Sequence, residues 1–118
     1  MKNKKVLILG ASSDIGVSTV KYFLKNDWFV LAHYNKNKKN LSKIKNNKLD
    51  FFKFDLKDIN KFKKYLTRNK KFNSIDSFVS LTGYIKTSNV LNTEIKSFYD
   101  HININYLSNL IIIEKIIP

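Results

Sequence analysis

The stretch VLILGASSDIG, Val6 to Gly16, sets the residues best suited to chemistry directly behind a short apolar run. Gly10 and Gly16 are two of only 3 glycines in the chain, and they bracket Ser12, Ser13, Asp14 and Ile15. The run before Gly10 reads as a buried strand, and a helix opens near Asp14. Glycine at such a junction allows a tight turn and a close approach of backbone to a diphosphate. The helix N-terminus then offers unpaired N–H groups and the positive end of its dipole to that anion. Ser12 and Ser13 add hydroxyl donors. The same residues also make a plain strand-to-helix turn capped by Ser13 or Asp14, and so short a motif does not choose between the two.

Such a loop must be held by a strand before it and a helix after it, and the chain repeats that alternation. Apolar runs mark strands at Lys5–Leu9, Trp28–Tyr34, Phe51–Phe54 and Ser77–Leu81. Helical spacing joins Ile15, Val20, Phe23 and Leu24, then Ile59, Phe62 and Leu66. The clearest helix carries Ile95, Phe98, Ile102, Tyr106, Leu110, Ile113 and Ile117 in steps of three and four, with Thr93 as N-cap and Pro118 at its boundary. Asn35–Lys48, the most polar stretch, reads as a loop followed by a weak helix. Alternation of this kind implies a parallel sheet with right-handed crossovers and helices on both faces. The expected fold is therefore α/β: a Rossmann-type doubly wound sheet, incomplete at about four strands where such sheets have about six. A length of 118 residues fits one domain, residues 1–118.

Composition narrows the function classes. Hydrophobic content of 43%, with 9 Phe and 6 Tyr, argues for a packed core. The absence of Cys excludes disulfides and thiolate metal sites, and only 2 His argue against a metal centre. No secretory leader is visible, since the first apolar run is short and Asp14 follows soon after. The apolar segment LIIIEKII is broken by Glu114 and Lys115, so no membrane span is expected and a cytoplasmic location is. The net charge of +13 invites a nucleic-acid partner. The lysines are scattered, however, and a chain rich in Lys, Asn, Ile, Phe and Tyr and poor in Ala, Gly, Pro and Arg is what A/T-rich coding produces. Nucleic acid is therefore not favoured.

GASSDIG resembles the cofactor loop of the short-chain dehydrogenase/reductase family, Gly-x-x-x-Gly-x-Gly, with Gly10 and Gly16 at the outer glycines and Asp14 in place of the middle one. Other landmarks follow in the family's order. Asp55, beside Leu56 in FKFDLKD, matches the aspartate that contacts adenine after the third strand. IDSFVSLTGYI resembles Ile-Asp-x-Leu-Val-Asn-Asn-Ala-Gly-Ile, with Ser80, Leu81, Thr82 and Gly83 at Asn-Asn-Ala-Gly. FYDHININYLSNLIIIEKIIP resembles the fourth helix, with Asn105 at the catalytic asparagine and Pro118 at the usual proline. The resemblance covers the whole chain. It implies a nicotinamide dinucleotide cofactor and hydride transfer with a small carbonyl or alcohol substrate.

An acid at the end of the second strand would select NAD(H), and a basic, acid-free site admits the 2′-phosphate of NADP(H). Trp28 to Leu49 holds no Asp or Glu; His33 stands at the expected place of the acid, and Tyr34, Lys36, Lys38 and Lys39 follow. NADP(H) is accordingly favoured over NAD(H), although the lysines also suit a solvated loop and His33 also suits a plain strand position. The family's serine and its Tyr-x-x-x-Lys pair are expected beyond residue 118, so the chain reads as truncated before them and inactive alone. Tyr34–Lys38 has the same spacing but follows the second strand, on the adenosine side. Three readings stay open: the cofactor-binding half of a reductase, a stand-alone nucleotide-binding or regulatory module, and a basic nucleic-acid-binding protein. Homo-oligomers through the last helix and the outer edge of the fourth strand are expected in the first.

Overall fold

The computed structural model describes residues 3–84 and 94–117. Four strands, β1 (Lys5–Leu9), β2 (Phe29–Tyr34), β3 (Leu49–Lys53) and β4 (Ser77–Ser80), form one parallel sheet in the order β3-β2-β1-β4. β1 lies inside the sheet, covered on both faces, which is why Val6, Leu7, Ile8 and Leu9 are all buried. Alternate side chains go to opposite layers. Val6, Ile8, Val30 and Ala32 pack under Val20 and Leu24 of α1 (Asp14–Lys25) and Leu41 of α2 (Lys39–Ser42). Leu7, Leu9, Leu31 and Phe52 meet Phe62 and Leu66 of α3 (Ile59–Arg68), Phe72 of a 3₁₀ turn (Lys70–Phe72) and Ile112 of α5 (Ser108–Ile116). Each such large side chain, fully buried, contributes about 1.5–3 kcal/mol. The expected Rossmann-type sheet with helices on both faces is what forms.

Element boundaries move by small steps. β2 starts at Phe29 rather than Trp28, and β4 stops at Ser80. β3 begins at Leu49, two residues before the expected start, because Leu49 and Asp50 already pair with Val30 and Leu31. The weak helix of the polar stretch is a single turn, Lys39–Ser42.

Two apolar faces differ from expectation. Ile15 does not join the core face of α1: it is 68% exposed, and Gly16, Val20 and Leu24 are the buried residues. The last helix runs as α4 (Ile95–Ile102), a π turn (Asn103–Leu107) and α5. Its most regular apolar stripe points outward, with Ile95, Phe98, Tyr106, Leu110, Ile113 and Ile117 all exposed. The inward face carries Ser97, Asp100, Ser108 and Ile112, joined by the half-buried Ile104, Ile111 and Ile116. A small residue such as Ser108 lets the helix approach the layer beneath it, and its hydroxyl donates to the Ile104 carbonyl at 2.8 Å. Thr93 and Pro118, the expected cap and boundary of this helix, lie outside the described residues.

Candidate functional site

In an open parallel sheet, ligands bind beyond the carboxyl ends of the strands, where the strand order reverses. Here the reversal falls between β1 and β4. A cleft of about 360 Å³ opens at that place. It is lined after β1 by Gly10, Ser12 and Ser13, after β2 by Asn35 and Lys36 with His33 at the strand's end, after β3 by Asp55, Leu56 and Lys57, and after β4 by Leu81, Thr82, Gly83 and Tyr84, with Ile104 from the π turn. A second hollow of about 410 Å³ lies along the outer surface of α1, among Asp14, Ile15, Ser18, Thr19 and Tyr22. It is shallow and belongs to one helix, so no groups converge in it from different elements.

Gly10 makes the turn with φ of +74°, a conformation that L side chains rarely adopt. A Cβ there would lie 2.8 Å from the Thr82 nitrogen, so the loop after β4 closes against the glycine. Gly16 has a different reason: a Cβ on it would fall 2.5 Å from the Ala11 carbonyl, where the first turn of α1 crosses the loop. Ser13 is the N-cap of α1, its Oγ accepting the Gly16 N–H at 3.1 Å. The capping role weighed for Ser13 is therefore real, and its hydroxyl proton stays free to donate outward. Asp14 sits in the first turn, where a carboxylate suits the helix dipole. Among the described residues nothing accepts the backbone N–H groups of Ser12, Ser13, Asp14 or Ile15. These are the orphan donors of a helix start.

The other expected residues separate into those at the cleft and those behind it. Asp55 is exposed, and its Oδ1 accepts the Lys57 N–H at 3.0 Å, which pins the turn after β3; Leu56 is buried beneath it. Lys36 is exposed at the rim. Tyr34 is half-buried on the α1 layer, with the Lys38 ammonium 5.9 Å from its ring centre. Ser80 donates to Asn109 Oδ1 at 2.7 Å. His33 is only 2% exposed, and burial holds its pKa below the usual histidine value against the opposing pull of the Phe54 carbonyl and Asp55. Its ring nitrogens face the Gly10 N–H and the Phe54 carbonyl.

Asn105 lies in the π turn, and such turns recur at functional positions in helices. Its side-chain amide pairs with the backbone of Tyr84: Oδ1 accepts the Tyr84 N–H and Nδ2 donates to the Tyr84 carbonyl, both at 2.8 Å. The Tyr84 ring stands 4.8 Å from that of His101, and the Lys57 ammonium lies 5.2 Å from its centre. Tyr84, Lys57, Asn35 and Ile104 complete the cleft without having been singled out in the sequence. Three of them directly follow strands β2, β3 and β4 within a few residues, the one signal that would have marked them. Among the described residues no group of His, Asp and Glu is placed to hold a metal, and no helix is long and apolar enough to cross a membrane.

The chain is similar to solved structures of about twice its length. A variant of ElxO with NADPH bound shares 25% identity at a TM-score of 0.73, over 97% of this chain and 49% of that one. A carbonyl reductase from chicken fatty liver with NADPH bound shares 18% at 0.75, over 98% and 47%. A short chain dehydrogenase from Leptospira borgpetersenii with NAD+ bound shares 17% at 0.73, over 98% and 45%. The chain thus spans about half the length of the structures it matches. No curated protein matches its sequence. The family model for short chain dehydrogenases matches residues 4–118, and on that match the chain belongs to the short chain dehydrogenase family.

Proposed function

We propose that the cleft at the carboxyl edge of the sheet binds NADP(H), and that these residues form the cofactor-binding part of a reductase acting on a small carbonyl or alcohol in the cytoplasm. The observation that carries this reading is the convergence, at the strand-order reversal, of the Gly10 turn, the free N–H groups that open α1, Asp55, and the Thr82–Gly83 loop. The fit is good at the diphosphate: Gly10 and Gly16 leave no room for a Cβ, and Ser12 to Ile15 present donors that have no acceptor among the described residues. Asp55, beside Leu56, suits the adenine, and Leu81, Thr82 and Gly83 form the wall where its ribose would lie. When bound, the cofactor supplies a hydride to the substrate carbon.

NADP(H) is preferred in this reading because of Lys36. His33 is buried and spends both ring nitrogens on backbone, so it offers a 2′-phosphate neither charge nor a hydrogen bond. Lys36 is exposed at the rim, and no acid stands between Trp28 and Leu49 to repel the phosphate. Asn105 anchors Tyr84 by its side chain, so in this reading its contribution to a proton relay is left to its backbone carbonyl, which also accepts the Asn109 side-chain amide at 3.3 Å. The 118 residues alone turn over no substrate in this reading, because the general acid/base tyrosine and its lysine and serine partners are not among them. The outward stripe of α4 and α5 and the outer edge of β4 are proposed to meet a second copy.

Fluorescence titration with NADPH and NADH tests the assignment. NADPH binds more tightly, and Lys36→Glu removes most of the difference, a loss of about tenfold or more for one charge-assisted contact. Equal affinity for the two cofactors in the unmodified chain would sink the preference. Steady NADPH oxidation by the purified chain would sink the claim of no turnover.

A further inference from the structure

We propose that His33 is the positioning residue of the glycine turn, and that the cleft takes its dinucleotide only while that imidazole is neutral. The second clause rests on the reading of the cleft given above. His33 receives two successive donors from the loop after β1: its carbonyl accepts the Ala11 N–H at 2.8 Å, and its Nδ1 accepts the Gly10 N–H at 3.0 Å. Its Nε2 lies 2.8 Å from the Phe54 carbonyl oxygen. A carbonyl only accepts, so Nε2 carries the proton. A backbone N–H only donates, so Nδ1 is bare. The two contacts together fix one neutral tautomer. The ring is packed against Phe52, 5.2 Å between centres, and joins the loop after β1 to the end of β3 across the strand between them.

The bond to His33 occupies the Gly10 N–H, so that group does not serve a phosphate. Its task is to hold the +74° turn, from which follow the N–H groups of Ser12 to Ile15, unaccepted among the described residues. Protonation at Nδ1 sets two donors face to face, and one bond must open. The turn has little room to yield on its other side, where Thr82 closes against Gly10. A leucine of similar size would fill the space but leave the Gly10 N–H and the Phe54 carbonyl without their partner. The ionisable groups around the ring divide. Asp55, after β3, favours the charged form. Lys36 after β2, Lys57 after β3 and Tyr84 after β4 line the same cleft, and the two ammonium groups oppose a charge on the ring. Beyond Phe52 lie Lys71 of the 3₁₀ turn and Tyr65 of α3. Burial outweighs Asp55 and lowers the His33 pKa from 6.5. The neutral ring is therefore the form present at pH 7, and it is lost as the pH falls below 6.5 toward the folded-state value.

The test uses the full 118-residue chain, labelled with ¹⁵N. With only 2 histidines, the ring signals are simple to assign. The expected result at pH 7.5 is His33 as the Nε2–H tautomer and a Gly10 amide protected from exchange. NADPH and NADH affinities are then measured from pH 7.5 to 5.5 for the unmodified chain and for His33→Asn, whose Oδ1 can accept the Gly10 N–H at any pH. The 2′-phosphate of NADPH itself titrates near pH ~6, in both proteins, so the reading is the excess loss in the unmodified chain. Because the His33 pKa lies below 6.5, that excess should stay under about tenfold at pH 5.5, should grow in step with protonation of the His33 ring signals, and should be the same for both cofactors. His33→Leu should bind weakly at every pH. A charged or Nδ1–H imidazole at pH 7.5, binding by His33→Leu equal to that of the unmodified chain, or identical pH profiles for the unmodified chain and His33→Asn while the His33 ring signals titrate, would overturn the proposal. Absence of dinucleotide binding at any pH, with the tautomer as expected, refutes the cofactor reading and leaves the His33 tie standing.

Discussion

Replacing Gly10 by alanine tests whether the turn is built on glycine for its backbone, its space, or both. The φ of +74° costs an L side chain roughly 1–2 kcal/mol. The new Cβ would meet the Thr82 nitrogen at 2.8 Å, Thr82 Cγ2 at 2.9 Å and the Leu81 carbonyl carbon at 3.0 Å. Two of these three are backbone atoms, so relief needs the loop after β4 to move, and overpacking of this kind costs about 1–3 kcal/mol. The stiffer unfolded chain returns about 0.4–1 kcal/mol. The net loss is about 1–5 kcal/mol, or about 0.5–2.5 M in the urea midpoint at an m of about 2 kcal/mol/M. Gly83→Ala is the internal control, because among the described residues a Cβ on Gly83 meets nothing within 4 Å, and its φ lies outside the left-handed region; its midpoint should not fall. Adding Thr82→Ser to Gly10→Ala removes only the Cγ2 contact and should recover less than half of the loss. An unchanged midpoint for Gly10→Ala, or full recovery in the double variant, would refute the reasoning.

Self-association should increase with salt. The exposed stripe of α4 and α5 offers apolar surface, of which burying about 300 Å² is worth roughly 7 kcal/mol before association costs, and added salt screens the repulsion of a chain at +13 within a Debye length. Light scattering that shows a monomer at both low and high salt would contradict this, and Leu110→Lys should reduce the effect. Asn105→Ala should leave the fold intact but free the backbone of Tyr84, two hydrogen bonds at the rim worth about 0.5–1.5 kcal/mol each. Faster amide exchange at Tyr84, with β1 protection unchanged, is the expected sign.

Period and punctuation made the sheet legible. Four short apolar runs, separated by helical spacing and one glycine turn, leave little choice but a parallel α/β sheet, and β1 matches its expected span residue for residue. What periodicity could not tell is which side of a helix a stripe faces. The regular stripe from Ile95 to Ile117 is exposed here, while the buried face of the same helix carries Ser97, Asp100 and Ser108, whose polarity hides it from any hydrophobic count. The site was legible where it is local in sequence: Gly10, Ser12 and Ser13 belong to one loop, and Asp55 follows its strand at once. It was not legible where distant segments meet. His33 could be read as a ligand group only until the fold placed Gly10 and Phe54, 23 and 21 residues away, at its two nitrogens. The contact of Thr82 with Gly10 likewise exists only because β4 pairs with β1.

The most direct test of the cofactor assignment is an amide-resolved NMR titration of the chain with NADPH. Saturable shifts should concentrate at Gly10, Ser12, Ser13, Lys36, Asp55 and Gly83, around the carboxyl ends of the strands, with the outer surface of α1 unmoved. Shifts confined to Ser18, Thr19 and Tyr22, or none at millimolar NADPH, would contradict the account.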